Sequence, residues 1–153
     1  MIDILVYLFA TYQDFGSRPK SRTLKRALSA VGFEDAAIST ALRWLDGLNT
    51  AAVVELPGNE RALRVYRVEE QRKLGSDGLG FIASLEAAGL LRPALRELAV
   101  ERAMLLGDEP VPLAKFKIIV LMVLWCQEQN IEPLVVEELL DDGDTRRLHR
   151  SRA

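Results

Sequence analysis

The feature that most constrains the fold is an uninterrupted apolar run of nine residues, from Ile118 to Cys126. The run is too short to cross a bilayer as a helix, which takes about 20 residues. Helical spacing continues on both sides of it and predicts a helix over residues 113–128. Because a helix that is apolar on every side cannot face water, we expect this one to be the buried central helix of the second half of the chain.

The first residues predict another helix with more than one apolar face. Apolar positions at helical spacing extend over residues 2–14, and the helix should end before Gly16 and Pro19. Further apolar residues, among them Tyr7 and Leu8, lie off the main stripe. Such a helix either lies at the centre of the fold or carries a second buried face.

The first half continues with two more helices and then with two short segments whose residues favour β-strands. The second helix carries an apolar stripe that ends at Gly32, and the third has Trp44 at the edge of its stripe. Residues 51–56 and 63–68 are rich in β-branched residues and flank a Pro-Gly-Asn-Glu turn, which predicts a β-hairpin. Three helices followed by a hairpin is the order of a winged helix-turn-helix. The helical pattern is also typical of three-helix ubiquitin-associated modules, and the sequence leaves both alternatives open.

The fold predicted from these patterns is mainly α. Residues 1–68 should form a three-helix unit, winged-helix-like or ubiquitin-associated-like, with a short β-hairpin. In residues 69–142 the apolar residues again follow helical spacing, interrupted by glycines and prolines, which predicts a C-terminal helical bundle. One of these helices carries a cation, Arg102, among its regularly spaced apolar residues. Residues 143–153 have little apolar content and are expected to be a disordered tail.

Composition limits the classes of partner and compartment. The 153 residues include 20 basic and 22 acidic side chains, a net charge of −2, which disfavours nucleic acid as a partner because phosphate contacts usually require a basic protein. The single cysteine, Cys126, excludes an intrachain disulfide. The N-terminal apolar run contains Asp3 and follows no basic segment, unlike a signal peptide. We therefore expect a cytoplasmic protein with no membrane partner.

Few residues are available for catalysis or metal binding. The one histidine, His149, lies in the polar tail, and Cys126 lies in the most apolar helix, where a thiol is buried and inert. The acids that follow residue 136 lack the spacing of a calcium loop, and the glycines that follow residue 74 form no phosphate-binding motif. We predict no catalytic residue, no metal site and no cofactor.

Two glutamates on one helical face have a simpler explanation than acid–base chemistry. Glu97 and Glu101 are four residues apart, and carboxylates on one exposed face usually act independently. A structural role in an ion pair is the better prediction. The candidate cationic partners are Arg64, Lys115 and Lys117.

One basic cluster is concentrated enough to bind a partner. Five cations occur within nine residues, with no acid among them. Such a cluster can bind phosphate groups or an acidic protein. The helix that follows is net acidic, whereas base readout favours Arg, Lys, Asn and Gln. The candidate partner or phosphate contacts are Arg18, Lys20, Arg22, Lys25 and Arg26.

Two functions are compatible with these patterns. The first is a non-enzymatic adaptor that binds another protein through a hydrophobic patch, because catalytic groups are scarce and the first helix is unusually apolar. The alternative is a weak nucleic-acid-binding winged-helix protein that uses residues 18–26. The sequence leaves the oligomeric state and the identity of any partner open. The candidate docking residues for the first hypothesis are Tyr7, Leu8 and Trp44.

Several segments between residues 1 and 126, in the same order, resemble the bacterial Smg family. They are MIDILVYLFATY at 1–12, GF at 32–33, ALRWL at 41–45, RVYRVEE at 64–70, GFIASLE at 80–86, RELAVER at 96–102 and KIIVLMVLW at 117–125. The resemblance implies a cytoplasmic protein with no assigned activity and no catalytic residues. The position of the family's genes near DNA-processing genes implies a link to DNA metabolism. Four arginines of the tail are unlike the family, so no role carries over to Arg146, Arg147, Arg150 and Arg152.

Overall fold

The computed structural model describes residues 1–12, 14–51, 64–127 and 131–141. Within those ranges the backbone forms seven α-helices and one short 3-10 helix, and no strand. The helices are α1 (Ile2–Thr11), α2 (Ser21–Val31), α3 (Asp35–Thr50), α4 (Val68–Ala87), α5 (Pro93–Met104), α6 (Leu113–Gln127) and α7 (Pro133–Leu140), and the 3-10 helix is Phe15–Ser17. The prediction of a mainly α fold is confirmed.

The predicted β-hairpin at residues 51–68 is wrong. Residues 52–63 lie outside the described part of the chain, and the described positions on either side, Ala51 and residues 64–67, belong to no strand. Val68, the last residue of the predicted second strand, is the first residue of α4. The winged-helix interpretation thereby loses the hairpin on which it depended.

The start of α4 explains why residues 64–68 do not form a strand. The Glu70 carboxylate, in the first turn of α4, accepts a hydrogen bond from the Arg67 backbone N–H at 2.9 Å and pairs with the Arg64 guanidinium at 2.8 Å. These contacts hold the preceding residues against the helix as an N-terminal cap. Val65 and Val68, which suggested a strand, are 86% and 57% exposed. A local capping interaction therefore outweighs β propensity here.

α6 is the central helix of the described fold. Ten consecutive residues, from Phe116 to Trp125, are buried. α6 packs against α1, α3, α4, α5 and α7, and the buried side chains of all these helices form one apolar core. The sequence predicted that this helix is central to the second half of the chain only, whereas in the structure it also packs against α1 and α3 of the first half. The domain boundary between residues 68 and 69 stays a prediction.

Aromatic contacts join the end of α6 to the N-terminal region. The Trp125 ring meets Phe9 of α1 edge to face, with centroids 5.5 Å apart, and meets Phe15 of the 3-10 helix at 5.0 Å. The Arg18 guanidinium lies 3.9 Å from the centroid of the Phe15 ring. Edge-to-face and cation–π contacts of this kind add to the stabilisation from buried area. The cluster ties the segment between α1 and α2 to the central helix.

Two glycines with positive φ set where helices end or bend. Gly32, with φ 115°, ends α2, and the Phe33 N–H beyond it bonds to the Leu28 carbonyl at 3.2 Å. Gly75, with φ 69°, interrupts α4. Near this kink the Lys73 carbonyl accepts a hydrogen bond from Val111 at 2.7 Å, which anchors the loop before α6. The predicted stop at Gly32 is confirmed.

Candidate functional site

A cavity of about 650 Å³ opens where the start of α1, the middle of α3, the end of α5 and the start of α6 meet. This volume falls within the range of about 300–1,000 Å³ that is typical of small-molecule sites. Its lining includes the apolar residues Ile2, Trp44 and Leu105 and the charged residues Arg102 and Lys115. The cavity therefore combines an apolar surface with a few polar groups, the usual composition of a binding site.

Arg102 of α5 is a buried cation in the wall of this cavity. Its side chain packs against α3: Nη2 donates a hydrogen bond to the Trp44 carbonyl at 3.0 Å, and the Trp44 indole Nε1–H donates to the Arg102 carbonyl at 3.3 Å. The residue is only 7% exposed. Its guanidinium carbon lies 5.2 Å from the Trp44 ring centroid. These contacts fix the position of the guanidinium without neutralising its charge.

The charge of Arg102 has no acidic partner within 4.0 Å among the described residues. Its Nε is buried and makes no hydrogen bond in the described part of the chain. Burial lowers the pKa of Arg102, and the nearby Glu101 carboxylate opposes that effect only in part. Buried cations are normally paired, because an uncompensated charge in an apolar setting costs free energy. Arg102 is therefore an exception that calls for a reason.

Gly47 of α3 provides the space that the guanidinium occupies. A Cβ atom at this position would lie 2.9 Å from both Nη atoms of Arg102, closer than such atoms approach. The absence of a side chain at residue 47 thus lets the guanidinium lie close against α3. The geometry of the site depends on this pair of positions, which are far apart in sequence.

Other charged groups surround the cavity. Lys115 pairs with Asp108 at 2.8 Å, and this pairing holds the pKa of Asp108 below its ordinary value. Arg43 on α3 and Asp3 on α1 also line the cavity and are exposed. Among the described residues, three cationic and two acidic side chains therefore line it, and one of each is already paired. The remaining balance favours an anion.

The predicted basic cluster lies elsewhere, on and before α2. Arg22, Lys25 and Arg26 are exposed and share one helical face, since they are three and four residues apart. Lys20 is exposed just before the helix. Arg18 differs, because it folds back: its Nη1 donates to the Phe15 carbonyl at 3.0 Å and its charge lies over that ring. Four of the five candidate residues thus lie exposed on or just before α2, and the fifth, Arg18, packs against Phe15.

The predicted docking residues do not form one exposed patch. Leu8 is 0% exposed and Trp44 is 6% exposed, because both side chains pack into the core around α6. Tyr7 is half-buried and meets Phe33 edge to face, with ring centroids 5.8 Å apart. The apolar second face of α1 is covered by the fold itself. A docking role for the set stays a prediction, with Tyr7 its most accessible member.

An apolar groove that the sequence did not point to lies between the end of α4 and α7. It has a volume of about 250 Å³, and its walls include Leu85, Leu90 and Val135. Leu134 on α7 is 70% exposed and Leu90 is 39% exposed, although both are large apolar side chains. The only signal in the sequence was α7 itself, a short helix with apolar residues on more than one side.

A network of ion pairs secures α4 to α5. Arg64 pairs with Glu70 at 2.8 Å and with Glu97 at 2.7 Å, and Arg96 pairs with Glu97 at 2.7 Å and with Glu86 at 3.2 Å. Of the three cations suggested as partners for Glu97 and Glu101, Arg64 pairs with Glu97, whereas Lys115 pairs with Asp108 and Lys117 with Glu138. Hydrogen bonds from Arg64 lower the pKa of Glu70 to about 2 despite its burial. The chain of alternating charges gives these carboxylates a structural role.

The remaining candidates for a catalytic or metal-binding role are Cys126, His149 and clusters of acidic side chains. Cys126 is half-buried rather than fully buried as predicted, and its partial burial raises the pKa of the thiol, which disfavours the reactive thiolate. Across the described ranges, no group of three or more His, Cys, Asp or Glu side chains is placed to hold a metal ion. His149 lies outside the described residues. Among the helices that are described, none has the length and apolar character to cross a membrane.

Comparison with known proteins assigns the chain to a family. Residues 1–149 match the family described as "Protein of unknown function (DUF494)". A protein of Bordetella petrii named "Protein Smg homolog" is 48% identical over 152 residues, which cover 97% of this chain and 100% of that protein. Proteins of the same name from Bordetella avium and Leptothrix cholodnii are 49% and 47% identical, again over 97% of this chain and 100% of each protein. The chain belongs to the Smg family.

Membership of the Smg family confirms the resemblance carried by the sequence segments. The family match also extends to residue 149, beyond residue 126, where those segments ended. The Smg family's description names no activity, so it assigns no role to the cavity, the groove or the basic face. No solved structure matches the chain. Its function has to be inferred from its own geometry.

Proposed function

We propose that this member of the Smg family is a non-enzymatic adaptor that binds a segment of another protein in the groove between the end of α4 and α7. The observation that carries the proposal is the juxtaposition of Leu90 and Leu134, both exposed, at the edge of an apolar groove. Adjacent exposed apolar side chains with polar surroundings are typical of protein interaction sites. A groove of about 250 Å³ suits one or two apolar side chains of a partner.

The charges around the groove favour a basic partner segment. Glu132 lies at the edge of the groove, and Glu137 is exposed on α7. α7 itself, with the sequence PLVVEELL, contains no lysine or arginine. Complementary charge orients a partner and raises its association rate more than it adds affinity. The proposed partner segment therefore carries apolar anchors flanked by Lys or Arg.

We also propose that the protein is cytoplasmic, and two further observations support a non-enzymatic role and this location. The raised pKa of Cys126 makes its thiol a poor nucleophile at neutral pH. A single cysteine, unable to form an intrachain disulfide, is consistent with a reducing compartment.

Selection from a phage-displayed peptide library tests the groove directly. We expect enriched peptides to carry Leu, Ile or Phe anchors flanked by Lys or Arg. Leu134→Asp should weaken their binding about tenfold or more, measured by fluorescence anisotropy, because it places a charge where an apolar anchor docks. Val31→Asp is the matched control, since Val31 is 53% exposed on α2. Peptides that bind both variants equally, or a selection that enriches no sequence, would refute the proposal.

A second candidate function is polyanion binding by the exposed face of α2. The specific observation is that Lys20, Arg22, Lys25 and Arg26 are exposed and make no ion pair with any described residue. Uncompensated cations on one helical face can contact successive phosphates. The link to DNA metabolism that the family resemblance implies belongs to this candidate.

Binding of a fluorescein-labelled single-stranded oligonucleotide tests this second candidate. Binding at low salt should weaken steeply as salt is added, because released counterions drive the association. Lys25→Glu combined with Arg26→Glu should raise the dissociation constant about tenfold or more. The control is Arg72→Glu, which reverses an exposed cation on α4. Absence of binding at low salt, or equal binding by both variants, would remove this candidate.

A further inference from the structure

The buried guanidinium of Arg102, in the wall of the cavity of about 650 Å³, has hydrogen-bond donors without acceptors among the described residues. A guanidinium has five N–H donors. In Arg102, Nη2 donates to the Trp44 carbonyl, and no other hydrogen bond of its guanidinium is found among the described residues. Every other buried charge described here has an ion-pair partner: Glu70, Arg96 and Lys117 pair with Arg64, Glu97 and Glu138 respectively. Arg102 is the exception within the described part of the chain.

The position of Arg102 is built into the packing of two helices. Gly47 leaves the space in which the guanidinium lies, and the Trp44 carbonyl and ring hold it from one side. A cation with a purely structural role would be expected to meet a carboxylate across such an interface. The nearby acid, Glu101, is exposed and makes no ion pair with Arg102. The fold therefore holds a positive charge at the wall of a cavity.

The cavity beside this charge is shaped for an amphipathic molecule. Its volume of about 650 Å³ is wide enough for a small organic ligand. Ile2, Trp44 and Leu105 offer an apolar surface, and Arg43 adds a second cation at the exposed edge. Asp3 and Asp108 also face the cavity, but Asp108 is already neutralised by Lys115 at 2.8 Å. A ligand with one anionic group and a compact apolar body matches this arrangement.

We propose that this cavity binds a small organic anion whose carboxylate or phosphate group pairs with Arg102 and whose apolar body lies against Trp44. The anion supplies the acceptors that the guanidinium lacks, and charge-assisted hydrogen bonds to Arg are strong and directional. The site is separate from the groove beside α7, because the two share no lining residue. The proposal therefore goes beyond the adaptor function and does not depend on it.

The indole N–H signals of the two tryptophans give a direct test by NMR. Trp44 lines the cavity, while Trp125 lies among Phe9 and Phe15 and serves as an internal control. Sodium benzoate and phenyl phosphate are titrated separately at constant ionic strength, with benzamide as the uncharged analogue. We expect a saturable shift of the Trp44 signal with at least one anion, and no such shift with benzamide or of the Trp125 signal. A response to benzoate alone assigns a carboxylate ligand, and a response to phenyl phosphate alone assigns a phosphate.

Variants then connect binding to the guanidinium. Arg102→Met keeps an unbranched apolar stem and removes the guanidinium with its charge, and should weaken anion binding about tenfold or more. Gly47→Ala keeps the charge but displaces the guanidinium, and should also weaken binding, so it decides the question if Arg102→Met does not fold. Arg72→Met removes an exposed cation on α4 and should leave binding unchanged. The proposal fails if neither anion shifts Trp44 at up to about 10 mM, or if binding survives in both cavity variants.

Discussion

Replacing Trp125 with alanine should lower the free energy of unfolding by about 3 to 5 kcal/mol, the range found for deleting a buried aromatic side chain. The residue is 5% exposed, and its ring packs edge-on against Phe9 and Phe15. The substitution removes both aromatic pairs and leaves a cavity at the end of α6. Because α6 packs against helices from both halves of the chain, the loss should destabilise the whole described fold rather than one half.

Denaturant unfolding followed by far-UV circular dichroism measures this change. A single transition that moves to lower denaturant concentration is expected, since elements that share one core unfold together. Val65→Ala is the control, because Val65 is 86% exposed and its truncation should change stability by less than about 0.5 kcal/mol. Two separate transitions would contradict the single core and support independent units on either side of residue 68.

Replacing Glu70 with glutamine should cost about 2 to 3 kcal/mol of stability at pH 7. The carboxylate is 2% exposed, pairs with Arg64 at 2.8 Å and caps α4 through the Arg67 N–H. Removing one member of a buried pair leaves the other charge poorly compensated, which is strongly destabilising. The loss is moderated because Arg64 keeps its second partner, Glu97 at 2.7 Å.

The same contribution has a defined pH dependence. Hydrogen bonds from Arg64 lower the pKa of folded Glu70 to about 2, from an ordinary value of 4.5. A carboxyl with a lowered pKa stabilises the fold fully above its unfolded pKa and loses that contribution as pH falls. The difference in unfolding free energy between the wild type and Glu70→Gln should therefore be constant above about pH 5 and shrink towards zero near pH 2.

Urea unfolding at several pH values measures this difference. Glu69→Gln is the matched control, because the neighbouring Glu69 is exposed and its neutralisation should change stability by less than about 0.5 kcal/mol. A Glu70→Gln effect that is equal at pH 7 and pH 3 would show that the ion pair is not its cause.

Much of the fold could be predicted because its signals are local. The spacing of apolar residues located the helices, and Gly32 ended α2 where the pattern broke, since a positive φ favours glycine. The burial of residues 116–125 followed from an apolar run that has no polar side to expose. The hairpin was wrong for a local reason as well, because the capping contacts of Glu70 competed with the β propensity of Val65 and Val68.

The candidate site was harder to predict because it depends on distant residues. Arg102 stood out in the sequence only as a cation on a helical stripe, and its contact with Trp44 joins residues that are 58 positions apart. Leu8 and Trp44 were predicted to face a partner, but the core covers them. An apolar side chain is expected to be buried, but its apolar character does not distinguish burial in the protein's own core from burial against a partner.

The sequence by itself therefore determined the helical class, the burial of α6, the presence of only one histidine and one cysteine, and the Smg family. Tertiary structure decided which charges are paired and which apolar side chains stay exposed. It paired Glu97 with Arg64, left Arg102 at the wall of a cavity without an acidic partner among the described residues, and left Leu134 exposed beside a groove. The physical reason is that helix formation depends on residues within a few positions of each other, whereas pairing and burial depend on how whole helices pack.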